Sequence, residues 1–209
     1  MFLPEFLGRY GFPASGIGYG AFALPYADGD YEAVRRMARE SIGRMEQLKD
    51  LPPTQQQPRN ATLDLAYRTA ADASYHLKDY VAADADIKRA GAFRKDLPVR
   101  TLGERRDAGN EAILAAMIAA RLGRYAEARQ LIEPVLELHR NLFARAGNED
   151  LTQHLEFAQA LYASALARSP TKAADLKQAA ALMDALTPEM RALISIRRIR
   201  ASIADAEGS

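Results

Sequence analysis

The sequence predicts an all-α protein built as an array of helical hairpins, with about eight helices. Apolar residues recur three or four positions apart over most of the chain, which is the period of an amphipathic helix. Residues that interrupt helices punctuate this pattern, notably Pro98, Gly123, Gly147, Pro170 and Pro188. One hairpin pattern also recurs along the chain, and a single hairpin can bury its apolar faces only by stacking on a neighbour.

Residues 1–29 differ from the rest of the chain, because glycines are interleaved there with aromatic residues. Dense glycine opposes a regular helix, and seven aromatic side chains are too many for a freely solvated tail. We expect this N-terminal arm to lie against the first helices or a partner. Residues 30–209 are predicted to form one helical repeat domain. Its first helix should follow Asp30 and end before Pro52 and Pro53, and the polar residues 54–59 are interpreted as a linker.

The later helices are predicted at residues 62–78, 80–94, 100–122, 124–146, 148–168, 171–186 and 188–206. Pro134 lies inside the fourth of these, where we expect a kink and no break. The last helix is apolar around most of its circumference, although a terminal repeat normally shows solvent a polar face. We expect it to pack on two sides within the chain, to be covered by the N-terminal arm, or to form a homodimer contact.

The recurring pattern combines small residues in a first helix, a short turn ending in tyrosine, and an apolar stripe in a second helix. Its first copy comprises Tyr67, Ala70, Ala71, Lys78, Asp79, Tyr80, Ala83, Ile87 and Ala90. Its second copy comprises Ala112, Ala115, Ala116, Gly123, Arg124, Tyr125, Ala128, Ile132 and Val135. A third copy, from Phe157 to Pro188, lacks the turn residues. Units that begin at 64, 109 and 157 have spacings of 45 and 48 residues.

This pattern resembles the tetratricopeptide repeat, whose usual unit of about 34 residues is shorter. The resemblance implies a right-handed α-solenoid of three to four antiparallel hairpins. It also implies that the first helix of each hairpin lines a concave groove that holds a peptide or helix of another protein. The groove residues carried over from the family are Arg68, Asp72, Tyr75, His76, Asn110, Met117, Arg121, Leu161 and Arg168. The arginines among them would suit a carboxylate-bearing partner.

Composition excludes several classes of function. The net charge is +1, so no overall field attracts nucleic acid, and there is no cysteine for a disulfide or a thiolate site. No apolar run approaches the roughly 20 residues of a spanning helix, and the N-terminus does not resemble a secretory signal. A cytoplasmic protein without a membrane span is therefore expected.

Catalytic motifs are also absent from the sequence. The three histidines, His76, His139 and His154, have no metal-binding spacing, and the glycines at 16–20 follow no predicted strand. We therefore expect no catalytic residue, no metal and no cofactor, and predict a non-catalytic interaction scaffold or adaptor. The alternatives are a nucleic-acid-binding or regulatory helical-repeat module, or the interaction module of a larger multidomain protein. The C-terminal arginines do not form the coherent stripe that nucleic-acid binding would require.

Overall fold

The computed structural model describes residues 25, 28–97, 99, 101–146, 151–192 and 194–208. Within these ranges the chain forms nine helices and no strand, which confirms the all-α prediction. The helices are α1 (Tyr31–Gln47), α2 (Pro53–His76), α3 (Tyr80–Arg94), α4 (Leu102–Arg121), α5 (Tyr125–Ala146), α6 (Leu151–Leu166), α7 (Lys172–Asp184), α8 (Pro188–Arg191) and α9 (Ile194–Glu207). The expectation for the N-terminal arm falls almost entirely on residues outside the described part.

The first two helices begin at residues suited to a helix start. Asp30 caps α1 by accepting a hydrogen bond from the Ala33 amide at 3.0 Å. The interpretation of residues 54–59 as a linker is wrong, because they form the first turns of α2. Pro53 occupies the first helical position, where its missing amide hydrogen costs nothing, and Pro58 is accommodated within the same helix.

Helices that follow one another in the chain pack against one another. The hairpins α2/α3, α4/α5 and α6/α7 form in this way, with α1 packed on α2 before them. The first helices of the hairpins also meet directly, α2 against α4 and α4 against α6. Pro134 lies inside an unbroken α5. The molecule is thus a row of hairpins in which α2, α4 and α6 are neighbours.

The turn inside each hairpin has the same backbone geometry in all three cases. Lys78, Gly123 and Arg168 adopt positive φ angles of 63°, 78° and 56°. In each turn the next amide bonds back to a carbonyl in the last turn of the helix: Asp79 to Ser74, Arg124 to Ala119, and Ser169 to Ser164. This is the Schellman arrangement. The turns are spaced 45 residues apart (123 − 78 and 168 − 123), so the expected longer second interval is wrong.

Small residues allow the first helices to approach closely. Ala70, Ala71 and Ala116 are fully buried, and so are Ala160 and Ala163 of α6. Ala116 packs with both alanines of α6 and with Ile132 of α5. These contacts fix the distance between α4 and α6, on which the candidate site below depends.

The segment predicted as one final helix is divided in two. α8 ends at Arg191, and α9 begins at Ile194 and packs on α6 and α7. Ile196 and Ile203 of α9 are 3% and 2% exposed and belong to the same apolar cluster as Phe157 and Leu161 of α6. The expectation that this apolar helix packs within its own chain is therefore confirmed for these side chains.

Candidate partner-binding surface

The sequence-predicted groove residues do not form a single surface. Tyr75 and Arg121 come together at the C-terminal ends of α2 and α4, and His76 and Asp72 lie beside them. The others are in the interior, between helices, or in a turn, and each is described below. The candidate surface is accordingly smaller than the predicted groove.

Its centre is formed by one arginine and two tyrosines from three different helices. Arg121 donates from Nε to the Tyr75 hydroxyl at 3.5 Å and from Nη2 to the Tyr162 hydroxyl at 3.0 Å. Tyr75 lies in the last turn of α2, Arg121 is the last residue of α4, and Tyr162 belongs to α6. We call these three residues the Arg121 site. Because α2, α4 and α6 each contribute one side chain, the site depends on the stacking of all three hairpins.

Arg121 differs from the arginines that join helices through ion pairs, because its partners are two neutral hydroxyl groups. Arg39 pairs with Asp86 at 2.6 Å, Arg94 with Asp64 at 2.7 Å, and Arg106 with Glu156 at 3.0 Å. Within the described residues, no carboxylate lies within ion-pair distance of Arg121, which is itself exposed. Burial raises the pKa of Tyr75 above its ordinary value, so its hydroxyl remains protonated at neutral pH. The site is a cation with two hydroxyl groups, and no residue in the described part of the chain supplies a counter-charge.

A row of rings continues from Tyr75 away from Arg121. The Tyr75 ring meets the His76 ring edge-on, with centroids 5.7 Å apart, and His76 stacks on Tyr31 at 4.3 Å. Tyr80 packs on the other side of Tyr75 at 5.5 Å. The guanidinium of Arg198, from α9, lies 4.8 Å above the Tyr31 ring. The aromatic row therefore contacts two arginines, Arg121 at Tyr75 and Arg198 at Tyr31. Arginine beside aromatic rings is common at protein interfaces.

Asp72 supports this row from beneath. One of its carboxylate oxygens lies 3.7 Å from His76 Nε2, which is too far for a hydrogen bond. Burial raises the pKa of Asp72 above its ordinary value. Its side chain is about a quarter exposed, at 23%, so Asp72 lies at the edge of the surface and not in its centre.

The prediction that Arg68 lines the groove is wrong, because Arg68 is only 8% exposed. Its Nε lies 3.5 Å from Asp64, one turn earlier in α2, and Asp64 also pairs with Arg94 of α3. Arg94 in turn donates to Glu111 of α4 at 3.2 Å. Burial and the neighbouring Asp64 raise the pKa of Glu111 to about 7. These four residues join the first hairpin to α4 inside the protein.

Asn110 is likewise part of an internal network, not of the surface. Its side-chain amide donates to Glu156 of α6 at 3.1 Å. Arg106, also on α4, donates two hydrogen bonds to the same carboxylate, each at 3.0 Å. His139 of α5 is fully buried, and its Nδ1 lies 3.7 Å from Glu156. Burial and then the nearby Arg106 lower the pKa of His139 to about 4, so it is neutral at pH 7.

The remaining predicted groove residues have structural positions. Leu161 is completely buried in the cluster that α9 covers. Met117 is half-buried and packs where three apolar clusters meet. Arg168 follows the end of α6 in the third turn, and its guanidinium lies 4.2 Å from the Tyr125 ring. Leu161 is therefore wrong as an exposed groove residue, and Arg168 is separated from Arg121 by that turn.

Tyr162 and Tyr80 are members of the surface that sequence reasoning missed. Tyr80 was assigned only to the hairpin turn, and Tyr162 is adjacent to Leu161, which was chosen in its place. The residue equivalent to Tyr162 one repeat earlier is Met117 (162 − 117 is the turn spacing of 45). That interval was the only sequence indication that Tyr162 shares the face of the first helices.

The described part of the chain has neither a candidate metal site nor a membrane-spanning helix. No group of three or more histidine, cysteine, aspartate or glutamate side chains there could hold a metal ion. No helix in those ranges is long and apolar enough to cross a bilayer.

The protein belongs to the class of all-helical proteins built from stacked hairpins, and its candidate surface consists of arginine and tyrosine side chains. No protein family, curated protein or solved structure matches the chain significantly.

Proposed function

We propose that this chain is a non-catalytic interaction scaffold, a tetratricopeptide-like right-handed α-solenoid that binds a carboxylate-bearing peptide or helix of another protein, in the cytoplasm. The observation that carries the proposal is Arg121, an exposed arginine held by two neutral hydroxyls and lacking a counter-charge among the described residues. The evenly spaced hairpin turns support the repeat architecture.

A ligand would bind the N–H groups of Arg121 that do not donate to the two tyrosines. A planar guanidinium binds a carboxylate through two parallel hydrogen bonds, and such charge-assisted bonds are the stronger kind. Each tyrosine oxygen accepts from Arg121, which leaves each hydroxyl hydrogen to be donated elsewhere. Tyr162 is only 5% exposed, so the partly buried Tyr75 is the tyrosine that can donate to a ligand. The tyrosines hold the guanidinium in place before a ligand arrives, which limits the entropy lost on binding.

The test begins with peptides selected from a phage-displayed library on the immobilised full chain. The affinity of a selected peptide is then measured by titration calorimetry for wild type, Arg121→Gln and the control Arg36→Gln. Arg36 is exposed on α1 and makes no ion pair within the described residues. Because a hydrogen bond to a charged group contributes about 1.5–3 kcal/mol, Arg121→Gln should weaken binding by about tenfold or more, and Arg36→Gln should leave it unchanged.

The same peptide with its acidic groups converted to amides provides the second arm. It should bind wild type as weakly as the acidic peptide binds Arg121→Gln. Equal affinities for the acidic and amidated peptides, or an unchanged affinity in Arg121→Gln, would refute the proposal. Arg68 is unsuitable for this test, because its replacement would leave Asp64 partly unpaired in the interior.

A further inference from the structure

Helix α9 covers apolar surface directly beside the Arg121 site. Ile196 and Ile203 pack into the cluster formed by α6 and α7. Tyr162 belongs to the same cluster through its ring, while its hydroxyl accepts the hydrogen bond from Arg121. The apolar cluster that α9 covers and the Arg121 site therefore share Tyr162, and a ligand that occupied both the site and the covered part of the cluster would overlap α9.

Arg198 attaches α9 to the beginning of the chain. Its Nη1 donates to the Gly29 carbonyl at 3.4 Å, and its guanidinium lies over the Tyr31 ring. Gly29 has a positive φ of 71°, and a Cβ added there would overlap the Arg198 guanidinium. The positive φ favours glycine at position 29, and a larger residue there would move the Arg198 guanidinium from its place. The contact joins the first and last helices across the aromatic row.

Most of α9 lacks the acidic residue that would pair with Arg121. Residues 194–204 contain three arginines and no acidic residue, and the first acid is Asp205. α9 therefore fills the apolar part of the surface but leaves Arg121 without a carboxylate. A helix with the same aliphatic spacing and a suitably placed acid would make every apolar contact of α9 and one ion pair more.

We infer that α9 is a displaceable internal occupant of the docking surface, and that the partner is an amphipathic helix with aliphatic residues at the spacing of Ile196, Ile199 and Ile203 and a carboxylate for Arg121. This inference rests on the proposed function. Because α9 is tethered, its high effective concentration excludes weak competitors. Only a helix that gains the additional ion pair with Arg121 displaces α9. The bound α9 therefore also makes the surface selective for partner helices that carry the carboxylate.

The first test uses fluorescein-labelled synthetic peptides with the sequence of residues 194–207. One peptide is unchanged, and three carry a single glutamate in place of Arg197, Ala201 or Ala204, which are exposed on α9. Fluorescence anisotropy gives their affinities for the full chain as wild type, as Arg198→Ala and as the control Arg197→Ala. Arg198→Ala should raise the affinity for the unchanged peptide about tenfold, and Arg197→Ala should not.

At least one glutamate peptide should bind more tightly than the unchanged peptide, and this gain should disappear in Arg121→Gln. Equal affinities of wild type and Arg198→Ala for every peptide would overturn the inference. Gly29→Ala, which perturbs the contact from the other end of the chain, should reproduce the effect of Arg198→Ala.

A second measurement separates this inference from the proposed function. The chain has no cysteine, so spin labels on Arg36→Cys and Arg197→Cys report the separation of α1 and α9 by pulsed electron paramagnetic resonance. One short distance is expected in the otherwise wild-type chain, and a second, longer population is expected when Arg198→Ala is added. A single unchanged distance in Arg198→Ala would refute the displacement of α9 even if Arg121→Gln lost peptide binding. A longer population together with peptide binding independent of Arg121 would refute the carboxylate site alone.

Discussion

Replacement of Glu156 by leucine tests the internal network that holds α4 against α6. Glu156 is 3% exposed and accepts two hydrogen bonds from Arg106 and one from Asn110. Leucine has a similar size but leaves these donors without that carboxylate. Breaking a buried ion pair costs about 3–5 kcal/mol. Because the Arg106 side chain is 25% exposed and can regain some water, we expect the lower end, about 3 kcal/mol.

A loss of this size is large compared with a usual unfolding free energy of about 5–15 kcal/mol. It corresponds to a fall in melting temperature of about 6–12 °C for a chain of this length. Urea unfolding followed by far-ultraviolet circular dichroism is the appropriate assay, because the chain has no tryptophan. Linear extrapolation then gives the unfolding free energy of each variant.

The double variant Arg106→Met, Glu156→Leu provides the control. It removes both charges, so the desolvation cost of the pair disappears with the attraction, and replacing a buried pair by apolar residues is often neutral or stabilising. We expect the double variant to be more stable than Glu156→Leu alone. The single variant Arg106→Met completes the cycle. If Glu156→Leu unfolds at the wild-type urea concentration, or if the losses of Glu156→Leu and Arg106→Met simply add in the double variant, the network does not join α4 to α6 as described.

Two further predictions concern the contacts between the first helices. Because burial and Asp64 raise the pKa of Glu111 to about 7 from its ordinary 4.5, the folded protein binds this proton more tightly than the unfolded chain. Protonated Glu111 therefore makes its full contribution to the unfolding free energy below about pH 4.5, and this contribution is lost as the pH rises through 7. Glu111→Gln should flatten that decline in urea titrations between pH 4.5 and 8, and an identical pH profile for the variant and wild type would contradict the assignment. Ala116→Leu should destabilise by about 1–3 kcal/mol, because Ala116 is fully buried against α6. Ala126→Leu, at an exposed position of α5, is the matched control, and equal melting temperatures for the two variants would mean that the helix crossing is wrongly placed.

Much of the fold could be predicted, because the apolar period and the hairpin turns are local properties of the sequence. The third turn was predicted as an interruption at Pro170 but not as a copy of the repeat's turn, because Arg168 occupies the left-handed conformation that Gly123 occupies in the second. Arginine gives no indication of that conformation, whereas glycine does. Residues 54–59 were misread for a related reason, since a proline ends one helix and can also begin the next.

The candidate site was only partly predictable, because it depends on which faces of three helices meet. Tyr75 and Arg121 were identified from the position of the first helices, but their hydrogen bond and the role of Tyr162 depend on the stacking distance. Arg68 was wrong because it was carried over from a groove position of the family, although Asp64 one turn earlier already offered an internal partner. Charged residues in a helix interior are therefore assigned correctly only when their pairs are known.

The contact between Gly29 and Arg198 has a consequence for the order of folding. It spans 169 residues, whereas helices elsewhere pack mainly on their neighbours in sequence. Local contacts form rapidly and contacts between distant residues form late, because a longer loop must first be closed. During synthesis the hairpins can assemble one after another from the N-terminal side. The first and last helices are therefore joined by this contact only after α9 has left the ribosome.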